Sequence, residues 1–104
     1  MANENSSMAG YVVIVSSQYL GALYAEHHAE TEEGRQAVID KMADGLSTVF
    51  SQQPPEDGLY RCQLPGLGYI GESYNVCRIP GGDPEKGILR LDDGRTLATF
   101  TINI

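Results

Sequence analysis

The sequence predicts an α+β fold, a single small domain in which one amphipathic helix packs on an antiparallel sheet, and three observations predict it. Apolar side chains recur at helical spacing from Val38 to Phe50, short β-branched and aromatic runs stand before and after that stretch, and Gly and Pro punctuate them. The third is size: 104 residues with a 41% hydrophobic and 20% charged composition suffice for one modest core and no more.

Taken in order, residues 1–10 (MANENSSMAG) hold no bulky apolar side chain except methionine and read as a flexible N-terminal tail, leaving 11–104 as the domain. "YVVIVSS" (11–17) is β-branched, too short for a helix, and reads as a strand. "QYLG" offers a turn at Gly21. In "ALYAEHHA" (22–29), Leu23, Ala25 and His27 alternate with Tyr24, Glu26 and His28, so a second strand folding back on the first gives an N-terminal β-hairpin.

The helix follows. Thr31 can cap it, Glu32 and Glu33 suit its positive end, and Val38, Ile39, Met42, Leu46, Val49 and Phe50 form one core-facing stripe. Pro54 and Pro55 end it, because proline lacks the N–H a helix needs and constrains the residue before it. A C-terminal β-meander then reads from "LYRCQL" (59–64), "SYNVCRI" (73–79), "GILRL" (87–91) and "TLATFTINI" (96–104). Asp93-Gly94 is a favoured pair for the last hairpin turn.

Net charge is −7, all of it in the first half. Residues 1–58 carry nine acids against Arg35 and Lys41, whereas residues 59–104 carry five acids and five bases. This placement disfavours direct binding of nucleic acid or an anionic membrane and suits a basic partner. The apolar run 11–15 is broken by Ser16, Ser17 and Gln18 with no preceding Lys or Arg, so no signal peptide or membrane span is expected. With Cys62 and Cys77 read as reduced thiols, the expected compartment is the cytoplasm.

Gly66, Gly68 and Gly71 stand as G-x-G-x-x-G, yet a dinucleotide fingerprint needs a helix after its glycines. "ESYNVCRIPGG" offers none, so the loop reads as a strand connection exposing Tyr69 and Ile70, with Tyr74 beside them as a third contact residue. His27 and His28, adjacent on a strand, would face opposite sides and could not grip one ion. No catalytic signature, cofactor or metal site is expected.

What remains is the outer helix face. At about 100° per residue Glu33, Asp40 and Asp44 fall within roughly 40° of one another, opposite the apolar stripe. Asp40 and Asp44 are like charges at i, i+4, an arrangement that a helix shaped only for stability avoids. With Glu30, Glu56 and Asp57 they make a candidate docking surface that imitates a polyanion. The expected function is a non-enzymatic inhibitor or antidote of the anti-defence or antitoxin type, blocking a basic, nucleic-acid-handling protein. Two alternatives stand beside it: a small ligand-binding or enzymatic domain using the Gly66–Gly71 loop, and a homodimer or larger assembly formed through the "TFTINI" edge.

Overall fold

A computed structural model describes residues 8–53, 58–61 and 73–103, with the backbone alone described for 58–61 and for Ser73. The elements are β1 (Ala9–Val15), α1 (Ser17–Glu26), α2 (Glu32–Gln52), β2 (Gly58–Arg61), β3 (Ser73–Arg78), β4 (Asp83–Leu91) and β5 (Thr96–Thr101). They form an α+β domain whose five strands lie in the order β2-β3-β1-β4-β5. β1 begins two residues earlier than the tail boundary drawn from composition, because Ala9 pairs with Asp83 and Gly10 accepts from the Ile79 N–H at 2.8 Å.

Two expectations are corrected. Residues 22–29 are not a strand: "SQYLGALYAE" is a helix, so the N-terminal hairpin is absent. Ser16 caps it, its Oγ accepting from the Tyr19 N–H at 3.0 Å, and Leu20 and Leu23 turn inward three residues apart. That cap and spacing outweigh the short alternation of residues 23–28. The sheet is also mixed rather than antiparallel. Without a hairpin partner β1 takes the centre, antiparallel to β3 (Val13 opposite Val76) and parallel to β4 (Val13 opposite Leu89). The four later strands follow in the expected order as two hairpins, β2–β3 and β4–β5, with β1 inserted between them.

That insertion forces the chain from β3 to β4 to arch over the start of β1. The arch is tight: Asp83 N–H donates to Met8 C=O at 2.8 Å, and a Cβ on Gly82 would overlap the Ala9 carbonyl. Only glycine fits there. At the other end Leu91 and Arg95 close a three-residue loop in which Gly94 alone has positive φ (99°), so Asp93-Gly94 makes the expected turn with one left-handed residue rather than two.

α2 matches its expectation closely. The Thr31 hydroxyl accepts from the Gly34 N–H at 3.0 Å, and Glu32 and Glu33 occupy the first turn. Gln53, forced away from helical angles by the proline after it, is extended at φ −143°, ψ 103°. Val38, Ile39, Met42, Leu46 and Phe50 are buried, joined by Ala43, while Val49 packs at the margin. They meet Tyr11, Val13 and Val15 of β1, Tyr74 and Val76 of β3, Leu89 and Leu91 of β4, and Phe100 of β5. Both helices thus cover one face of the sheet. Burying each of Met42, Leu46 and Phe50 stabilises the fold by about 1.5–3 kcal/mol.

Candidate functional site

α2 is held to the core by its stripe from Val38 to Phe50, so the outer face of that stretch, with Asp40 and Asp44, is backed by packed side chains. Glu33, Asp40 and Asp44 are exposed on it, and Glu30 is exposed one residue before the cap. Among the described residues none of these four carboxylates is held in an ion pair; Asp40 accepts from Gln36 Nε2 at 3.0 Å, and the cation pairing seen elsewhere is Arg95 with Asp93 at 3.4 Å. The carboxylates therefore project into solvent without a direct ion pair, with Lys41 as the cation beside Asp40 in sequence. Glu56 and Asp57 lie outside the described residues.

The tyrosine-loop expectation fares differently. Tyr74 is fully buried, so it is not a contact residue. The two-residue period of β3 turns it inward with Val76, its ring meets Tyr19 edge to face (5.8 Å between centroids, 81°), and the two hydroxyls share a hydrogen bond at 2.7 Å. Tyr69, Ile70, Cys62 and the whole Gly66–Gly71 loop lie outside the described residues. Cys77 is a free, half-buried thiol beside Val12.

The histidines are reassigned with their segment. They end α1: His27 is the C-cap, and His28 adopts φ 53° so that its N–H reaches Ala25 C=O (3.2 Å) and Ala29 N–H reaches Tyr24 C=O (2.8 Å). This is a Schellman closure with histidine in the place glycine usually takes. Among the described residues no three His, Cys, Asp or Glu side chains converge as a metal site would require.

One feature escaped the sequence. A groove of about 530 Å³ runs between α1, the first turns of α2 and the β4–β5 turn. Leu20, Ile39, Leu91 and Leu97 give it apolar walls, and its polar side is made by Ser17, Tyr24, Gln36, the two cations Arg35 and Arg95, and one acid, Glu32. Arg35 is anchored in two ways, its guanidinium carbon 5.6 Å from the Tyr24 ring centroid and its Nε donating to Ala29 C=O at 3.4 Å. Burial raises the Tyr24 pKa above its ordinary 10.0, against the opposing pull of Arg35 and then Arg95. Two cations from distant parts of the chain thus act on one hydroxyl. Their sequence separation, 60 residues, carried no signal, and Tyr24 between them stands on the unexpected helix at 17–26.

Set against known proteins, the chain matches no family model, no curated protein and no solved structure.

Proposed function

We propose that the protein is a small acidic binding protein, with no catalytic step of its own, that occupies the basic surface of a nucleic-acid-handling protein in the cytoplasm and blocks it sterically, as an anti-defence or antitoxin inhibitor does. The observation that carries this reading is the outer face of α2, where Glu33, Asp40 and Asp44 stand exposed with no cationic partner among the described residues. Such carboxylates accelerate encounter with a basic patch, and the rigidity of the helix means that little order has to be imposed on binding. Close apolar or aromatic contacts would then hold the complex.

The test is affinity capture from nuclease-treated host lysate with wild type beside the double variant Asp40→Lys/Asp44→Lys. The expected result is a nucleic-acid-binding protein retained by wild type alone and displaced by added duplex DNA. Equal retention by both forms, or retention that DNA does not disturb, overturns the reading.

A second reading, self-association, has one observation in its favour. β5 is an edge strand, and residues 96–104 contain neither charge nor proline, the usual guards of an open edge. Ile102 N–H turns inward to Glu85 C=O, so the odd-numbered backbone groups face outward. Ser47 covers the Thr101 carbonyl and Ser51 accepts from Asn103 N–H at 2.8 Å, which leaves Thr99 as the centre of the open stretch. Light scattering on wild type and Thr99→Lys decides it: a dimer that the lysine dissociates supports the reading, and a monomer at millimolar concentration removes it.

A further inference from the structure

We propose that the groove between α1, α2 and the β4–β5 turn is a binding site for a small carboxylate that carries an apolar tail. It is distinct from the acidic face and does not depend on the function proposed for that face.

Three observations carry this inference. The first is size and lining: about 530 Å³ lies within the range of small-molecule sites, and Leu20, Ile39, Leu91 and Leu97 offer the apolar walls such sites use. The second is charge. Arg35 is one of only two bases in the first 58 residues, yet it lines this groove with Arg95; the acids beside them are Glu32 on the same wall and Asp93, which meets Arg95 through Nε at 3.4 Å and leaves the terminal N–H groups of that guanidinium available. Arg35 is held by the Tyr24 ring and by Ala29 C=O through a single N–H, so the rest of its donor fork stays available, and a planar guanidinium matches a carboxylate with two parallel hydrogen bonds. The third is Gly21. It stands mid-helix in α1 with a groove-lining position, and a Cβ built there meets nothing within 4 Å. A glycine mid-helix weakens the helix, and no packing demand explains this one. Its effect on shape is to keep the groove wide beside Leu20.

The combination selects the ligand class. Apolar walls give a bare phosphate ion little to bind, and two guanidiniums beside a tyrosine hydroxyl give a neutral hydrocarbon no fixed orientation. A carboxylate with an aryl or alkyl tail satisfies both ends, its head at Arg35 and Arg95 and its tail against Leu20, Ile39 and Leu97.

The experiment titrates ¹⁵N-labelled full-length protein with 4-phenylbutyrate, with 4-phenylbutanol and inorganic phosphate as the tail-only and anion-only controls. The expected result is saturable shifts of the Gly21, Gln36 and Leu97 amides with 4-phenylbutyrate at a dissociation constant of about 1 mM or tighter, and at least tenfold weaker binding of either control. Arg35→Gln and Arg95→Gln should each weaken phenylbutyrate about tenfold and leave phenylbutanol unchanged. Gly21→Leu should abolish binding while the rest of the spectrum keeps its dispersion, which separates a filled groove from a misfolded chain. Equal affinity for the alcohol, equal affinity for phosphate, shifts elsewhere, or no saturation overturns the proposal.

Discussion

Replacing Gly21 by alanine should make this protein more stable, and the size of the gain follows from the structure. Gly21 is the fifth of the ten residues of α1, away from both caps, and its φ is not in the positive range that would favour glycine. A new Cβ touches no atom within 4 Å, so neither clash nor new packing enters the balance. What is left is the difference in backbone freedom of the unfolded chain, which makes glycine about 0.8–1.0 kcal/mol worse than alanine in a helix interior. For a domain of this size that is a rise in Tm of about 4–8 °C per kcal/mol. Urea unfolding followed by circular dichroism should show the midpoint moving up by roughly 0.3–1 M at an unchanged slope. A midpoint that stays put or falls refutes the argument, because it would mean that Gly21 is required by a close contact or that residues 17–26 are not helical in solution.

Three further outcomes follow from the same geometry. His28→Gly should stabilise by roughly 0.5–1 kcal/mol, since a residue with a Cβ at φ 53° is strained and the helix closure needs only its backbone; urea unfolding reads it, and a loss of stability would show that the imidazole is needed. Gly82→Ala should destabilise by about 1–3 kcal/mol, because the three atoms nearest the new Cβ are backbone atoms of Ala9 and Gly10 in β1 that cannot step aside, and an unchanged urea midpoint would count against the arch. Tyr24 keeps its proton in the folded state beyond the pH at which the unfolded residue loses it. Its contribution is therefore complete below about pH 10 and fades as pH climbs through the raised folded value. As pH rises through this range the urea midpoint of wild type should fall relative to that of Tyr24→Phe, and a relative rise would reverse the sign of the argument.

How far the sequence could be read depended on how many signals agreed at each segment. At α2 the Thr31 cap, the acidic first turn, the six-residue stripe and the two prolines all agreed, and the helix stands where they placed it. At 17–26 they conflicted. Gly21 suggested a turn and residues 23–28 alternated, while the deciding signal was a single serine at position 16 that also ends a strand. The mistake then spread, because giving β1 a hairpin partner hid its real place between β3 and β4. Pro84 hid the start of β4 in the same way, since proline in an inner strand is rare and marks the irregular pairing beside Ala9. The exposure of Glu33, Asp40 and Asp44 was legible because the three lie on one helix, opposite its apolar stripe. The groove was not, because it is made by three segments whose meeting is a product of topology.

The two surfaces oppose each other electrostatically, and this decides how each would work. A chain of net charge −7 repels anions at a distance, so a carboxylate approaching the groove is not steered to it. Attraction begins only within about one Debye length, roughly 8–10 Å in ordinary salt, and there Glu32 and Asp93 offset part of the charge of Arg35 and Arg95. Binding there would therefore depend on contacts made inside the groove, with the arginines supplying orientation. On the function proposed for the acidic face the order would be reversed: its charges would reach a basic partner first, and contact area would follow. Charge reversal at Asp40 and Asp44 should consequently slow association with the proposed partner and leave the groove's preference for carboxylate over alcohol intact, because that preference is set by hydrogen bonds from the guanidiniums that line the groove and not by the net charge of the molecule.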